Sequence, residues 1–420
     1  MASQETIRHI EPARASFLND PKVRGIIYQV VVFVALVAFV WWIVDNTIEN
    51  LQRAKIASGF AFLKGRAGFD ISQSLIDYTS DSTFSRALLV GFLNTLLVAV
   101  AGIITASIIG FLVGIGRLSK NWLIRKVATV YVETFRNIPP LLVIFFWYLG
   151  VLSVLPLPRD SIVLPFDSYL NSRGFFLPKI AWEGSFLPSL AWQDTVLPTL
   201  DWSGVMSGRL WLIDIAIVLA IAMVWFVARR ARQRQAATGQ QFPVFWTSVA
   251  LLIGLPLLAF LAAGTPASIE YPQKGTFNLT GGFQVKPEFL ALYMALSFYT
   301  ASFIAEIVRA GIMGVSKGQT EAAAALGLRS GPVMRLVVIP QALRIIIPPL
   351  TSQYLNLTKN SSLAVAIGYP DLVATGGTIL NQTGQSIEIV VVWMVVYLGL
   401  SLTTSFFMNW FNSRMALVER

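Results

Sequence analysis

The chain contains no cysteine among its 420 residues, which excludes disulfides, thiol catalysis and cysteine metal sites. It has a single histidine, His9, in a polar N-terminal tail, so imidazole catalysis and histidine metal binding have nothing to work with. Charge is scarce as well. Only 13% of residues are charged, where a soluble domain carries about 25%. No GxxxxGK[ST] phosphate loop, HExxH pair or Ser/His/Asp set occurs, so an enzyme reading has almost no support. What remains is apolar: 55% of residues are hydrophobic, the composition of a multi-pass membrane protein. The net charge of +10 then needs no nucleic acid, because membrane proteins keep Lys and Arg in their cytoplasmic loops.

Apolar stretches long enough to cross a bilayer occur near 25–44, 87–115, 128–152, 210–228, 244–264, 288–312, 343–368 and 388–411. A span needs about 20 residues, so eight are expected, the last two interrupted by proline, glycine and polar residues. About 24 polar residues precede the first run, which has the form of a retained signal anchor and not of a cleaved leader. Arg8, Arg14, Lys22 and Arg24 place the N-terminus in the cytoplasm. Alternation then puts Arg117 to Lys126, Arg229 to Arg234, Lys317 to Arg335, and Arg414 with Arg420 on that same side. The weakest point is the 46–86 loop, which carries Arg53, Lys55, Lys64 and Arg66 on the opposite side. The external loop 153–209 repeats every ten residues: Leu177-Pro178 to Trp182, Leu187-Pro188 to Trp192, Leu197-Pro198 to Trp202. This spacing predicts three stacked extended or turn units, serving either as a docking lid or as an interfacial aromatic segment.

Polar residues within apolar runs are the candidates for a solute path, since a charge at the bilayer centre costs about 2.5–3.5 kcal/mol on insertion scales. Glu306 and Arg309 share a helix face at i,i+3, as a local ion pair or as a path residue. Asn356, Thr358, Lys359, Asn360, Ser361 and Ser362 form a polar run with Pro348 and Pro349 before it and Gly368 and Pro370 after it. Interrupted helices of this kind line a cavity, and the alternative is hydrogen bonding between helices. Arg136 begins the third stretch and either receives a carboxylate or caps nearby carbonyls.

The loop between the sixth and seventh stretches has the most ordered pattern. Ser316 precedes Glu321-Ala322-Ala323-Ala324-Ala325-Leu326-Gly327, which predicts a short helix with a small-residue surface and a left-handed glycine stop. Ser330 and Pro332 begin a second short helix, and Pro340, Pro348 and Pro349 are expected to stop further regular winding.

Glu321-Ala322-Ala323, Gly327, Val337 and Ile339-Pro340 resemble the EAA signature of importer-type ABC permeases, with Val337 and Ile339 in place of its Ile and Leu. Tyr131 to Pro139, Ala305 to Ile312 and Leu357 to Leu363 are similar to three segments of polar amino-acid permeases, with Asn137-Ile138 for Gly-Thr and Ala310 for Gly. The resemblance spans roughly 85–155 and 285–415 and implies an all-α type I importer permease core. One N-terminal and two inserted helices would be added to that core, as in the larger permeases of broad-specificity L-amino-acid importers. The implied domains are a tail 1–24, an anchor and external loop 25–84, core 85–155, insertion 156–286 and core 287–415.

The resemblance further implies a pair of separate ATPase subunits holding ATP and Mg, a second permease that is often unlike, and a periplasmic binding protein delivering L-amino acids. No cofactor is expected in this chain. Within loop 313–342, Glu321, Ala322, Ala323, Gly327 and Pro340 would couple to the ATPase. Lys359, Asn360 and Ser361, with Glu306 and Arg136, would line the substrate path of an inner-membrane protein with both termini cytoplasmic. Competing readings are an importer for one polar substrate or an opine, an ATP-independent carrier or channel, and an inactive scaffold.

Overall fold

A computed structural model describes residues 21–53, 59–183, 209–275 and 278–415, with Phe186, 189–191, 199–201 and Val205 between them. The chain divides into two units, 1–59 and 60–420. The first contains α1, Pro21–Arg53, whose apolar side chains are nearly all exposed. An uncovered apolar helix of 33 residues is long enough to cross a bilayer.

The second unit begins with a compact loop leading into α2, Phe84–Arg117. Thr83 caps α2 by accepting from the Arg86 N–H. Then come α3, Trp122–Arg136, and α4, Pro140–Phe145, the latter continued by a π-helical segment Phe146–Leu152. Two apolar helices follow, α5 at Trp211–Thr238 and α6 at Val244–Ala262. The chain ends with α7 at Pro287–Met313, α8 at Lys317–Ala325, α9 at Ile339–Asn360, α10 at Leu372–Thr383 and α11 at Ser386–Met415. Among the described residues, seven helices are long and apolar enough to cross a membrane, or eight if the bent α3–α4 pair forms one span.

The apolar stretch expected over 128–152 is thus bent at Asn137–Pro140. The two halves meet at 110°. Pro139 disfavours helical backbone at Ile138 and Pro140 starts the next helix, while Asn137 Nδ2 donates to the Glu133 carbonyl at 2.7 Å to finish the first. A correction concerns the prolines of α9. Pro340 sits at the helix start and Pro348 and Pro349 lie inside it, so none of them stops the winding. The turn before Pro340, Met334–Val338, loosens to π geometry, with the Ile339 N–H reaching Met334 O, which absorbs the missing proline donor. The expected second short helix at Ser330 is therefore the start of a 38-residue helical run, Ser330–Ile367.

Helices α2 and α7 form the centre of the core, with α9 packed on both. The close approach comes from glycines spaced by four on α2. A Cβ on Gly110 would lie 2.5 Å from Ile304, and one on Gly114 would lie 2.7 Å from the Ala305 carbonyl. In lipid, where apolar contact alone gives helices no net drive to associate, such small residues determine which faces meet.

Among the described residues, ten short strands lie between α4 and α7. A four-stranded sheet runs β1 (Ile162–Leu164), β2 (Ser168–Asn171), β3 (Gly174–Leu177) and β10 (Phe283–Val285). Strand β4 (Lys179–Trp182) pairs antiparallel with β7 (Ala267–Glu270), and β5 (Ser189–Ala191) with β6 (Thr199–Asp201). Strands from before α5 thus pair with strands from after α6, so both connections lie at one end and α5–α6 is a hairpin. The expected stacking of each repeat unit on the next is corrected for the first unit, which pairs with β7. Its Trp182 meets Phe186 at 4.8 Å and Phe260 of α6 at 6.2 Å. The Leu, Pro and Trp residues of the other two units lie outside the described residues.

Candidate functional site

The loop after α7 folds on its own small core. Ala323 is 5% exposed and packs with Val333 and Val338, flanked by Ile312, Val315 and Val337. Helix α8 ends in a full Schellman cap, in which the Leu328 N–H donates to Ala323 O and the Gly327 N–H to Ala324 O. Gly327 has a φ of +78° with nothing near its missing Cβ, so its requirement is conformational and not steric. Ser316 stands at the helix start but its side chain makes no capping bond. Glu321, Ala322, Ala324 and Ala325 face outward beside Leu326, which is 83% exposed. The small-residue run therefore divides: Ala323 serves the loop's own packing, and the others leave a shallow surface with one projecting leucine. Pro340, half-buried, fixes the entry into α9.

Arg136 and Glu306 come together. Glu306, 24% exposed, pairs with Arg309 on its own helix, with Arg117 from the end of α2, and with Arg136 of α3 at 3.9 Å. Arg117, only 11% exposed, also reaches Glu133 at 3.6 Å. Arg136 lies over the Phe303 ring at 5.5 Å. Three guanidiniums and two carboxylates thus tie α2, α3 and α7 together at the end remote from the strands. The i,i+3 spacing showed only the Arg309 partner. Arg117 arrives because Gly110 and Gly114 bring α2 onto α7 one turn earlier.

Lys359, Asn360 and Ser361 end α9 and open a 3-10 turn, Ser361–Ile367. Lys359 is exposed and forms no ion pair among the described residues, Asn360 is half-buried and Ser361 is buried. The Ser361 hydroxyl donates to the Thr358 carbonyl at 2.7 Å and Ser362 to the Lys359 carbonyl at 2.7 Å, so both hydroxyls close on their own helix. No hydrogen bond or ion pair among the described residues joins this group to Glu306 or Arg136.

A neighbouring polar knot escaped sequence reasoning. Asn94 Nδ2 donates to the carbonyls of Gln73 and Pro370, and the Tyr369 hydroxyl to Asn94 O. Thr95 Oγ1 accepts from the Leu372 N–H, and buried Asp371 caps α10 through the Ala374 N–H at 2.8 Å. Burial pushes the Asp371 carboxyl up to about 7, against the pull of the Ala374 and Val373 N–H groups. A proline-then-acid pair preceding a helical pattern was the available signal. Among the described residues, no group of three or more His, Cys, Asp or Glu is placed to hold a metal.

Comparison with known proteins fits this geometry. Residues 215–417 match the family described as binding-protein-dependent transport system inner membrane component. The General L-amino acid transport system permease protein AapQ of Rhizobium johnstonii is 64% identical over 405 residues, covering 96% of this chain and 95% of that protein. The chain belongs to the binding-protein-dependent transport system inner membrane components. The Putative amino-acid ABC transporter permease protein YhdX of Escherichia coli is 48% identical over 96% of this chain and 97% of its own length. The Glutamate/glutamine/aspartate/asparagine transport system permease protein BztB of Rhodobacter capsulatus is 44% identical over 98% and 99%. This inner membrane component is thus a multi-pass transport subunit and not an enzyme, and the exposed α8 surface and the arginine cluster belong to a permease.

Proposed function

We propose that this chain is the permease of an ATP-driven importer that moves L-amino acids of varied side chain across the inner membrane. The observation that carries this reading is the exposed, Schellman-capped helix α8 on a chain that has no phosphate loop. A permease of this kind needs another protein to supply energy. A folded helix with Ala322, Ala324 and Ala325 outward admits close approach, and Glu321 offers a carboxylate to basic groups or backbone amides. ATP-driven closure of a pair of ATPase subunits would pull two such helices together and rock the spans between inward-open and outward-open states. Relatives named for general L-amino acid and for glutamate, glutamine, aspartate and asparagine transport support the cargo.

The basic ends of α2, α5, α7 and α11 support cytoplasmic N- and C-termini, with the strands and a binding protein outside. Lys359 and Asn360 are proposed for the substrate path. Lys359 is exposed on this chain, so a path there requires a second permease to close its other wall. Glu306 and Arg136 are already engaged with each other, which favours a helix-joining role for them. Co-purification of the chain with its partners, followed by competition between amino acids for uptake into vesicles, tests the proposal. ATP-dependent uptake competed by several amino acids is expected. Uptake by this chain alone without ATP would favour a secondary carrier instead.

A further inference from the structure

A cavity of about 350 Å³ lies at the strand-bearing end, apart from both the α8 loop and the arginine cluster. Its walls come from two parts of the chain. The inserted segment contributes Arg173, from the β2–β3 turn, Asn278, and Lys286 just before α7. The core contributes Tyr148 and Ser153 near the end of the α4 segment, with Glu288 at the head of α7.

Charge is distributed unusually around this space. Two cations and one carboxylate line it, yet none of the three forms an ion pair among the described residues. Their anchorage keeps them apart. Gly174 has a φ of +119°, and a Cβ there would lie 2.2 Å from the Val285 carbonyl, so β3 meets the end of β10 only with glycine at that position. Gln284 Nε2 then donates to the Arg173 carbonyl at 2.8 Å and fixes the turn. Across the cavity, Lys286 precedes Pro287 at the start of α7, and Glu288 Oε1 accepts from the Tyr148 hydroxyl at 3.3 Å.

Separated charges of both signs suit a ligand that carries a carboxylate and an ammonium group a few ångströms apart. The volume is at the small end for ligand pockets and leaves room for a side chain. We propose that this cavity receives a zwitterionic α-amino acid before it enters the membrane path. Arg173 and Lys286 face its carboxylate, and Glu288 faces its ammonium group. The site rests on the amino-acid import reading and gives the insertion a part in it, since the insertion supplies both cations and the core supplies the carboxylate.

The absence of cysteine provides the test. Ser153→Cys, or Ser172→Cys if the first variant assembles poorly, places the single thiol of this chain at the cavity. Its maleimide labelling rate is measured in the assembled transporter with L-glutamine, with N-acetyl-L-glutamine and with the corresponding decarboxylated amine. L-Glutamine should slow labelling at least threefold and neither analogue should. Arg173→Gln or Glu288→Gln should abolish protection while leaving the unprotected rate unchanged. If the vesicles import amino acids but L-glutamine gives no protection, the receiving site is refuted and the import reading stands. If ATP-driven amino-acid uptake is itself absent, the import reading fails first. Protection by the empty binding protein without any amino acid would also overturn the site, assigning the surface to protein docking.

Discussion

Helices α2 and α6 are both apolar along their length, yet α2 is threaded through the core and α6 has no buried residue. Hydrophobicity does not separate them. Helix α2 carries Gly91, Gly102, Gly110 and Gly114, each with a neighbour where its Cβ would be, whereas Gly254 of α6 has nothing within 4 Å. Among the described residues, the main helix partner of α6 is α5. In a bilayer, small residues that admit a neighbouring backbone mark a packed face better than apolar content does.

The largest expected effect comes from filling the tight face. Gly110→Leu should remove assembled transporter almost completely, measured as complex recovered after solubilisation, while Gly254→Leu should leave recovery near wild type. Equal recovery of the two would break the contrast between packed and lipid-facing helices. Next in size is the arginine cluster. Glu306→Gln leaves Arg117, Arg136 and Arg309 facing one another, and should cost on the order of 2–3 kcal/mol in stability of the complex, read as a lowered Tm. Arg232→Gln, at the free end of the hairpin, should shift Tm by less than about 0.5 kcal/mol in equivalent terms.

Asp371 gives a smaller, pH-dependent effect. Its carboxyl titrates near 7 when folded, well above the usual value, so the folded state binds the extra proton. Stability from this group is therefore present at low pH and declines as pH rises towards and through 7. Asp371→Asn should flatten the fall in Tm between pH 5 and 8, and an unchanged slope would remove the group from the account.

How much of this was legible in the sequence follows the same division. Runs of apolar residues announced the spans, and Ser316 to Gly327 announced α8 and its left-handed stop, because both depend on neighbours in sequence. The α3–α4 break was written in Asn137-Ile138-Pro139-Pro140, but the apolar residues beyond it read as a continuation. Pro348 and Pro349 misled in the opposite direction, because the surrounding membrane helix tolerates what an isolated helix does not. Arg117 meeting Glu306, and β3 meeting β10, required contacts across more than a hundred residues that no local pattern encodes. For the same reason the cavity around Arg173 and Glu288 emerged only in three dimensions.

The central claim is that α8 passes the energy of a separate ATPase to the spans, and Gly327 tests it most directly. Gly327→Pro removes the N–H that bonds to Ala324 O and forbids the left-handed backbone, so the Schellman cap is lost while the spans are untouched. The measurement is ATP-driven amino-acid uptake by vesicles holding the assembled variant, normalised to inserted protein. Normal insertion and uptake reduced at least tenfold are expected. Uptake at the wild-type rate would contradict the claim.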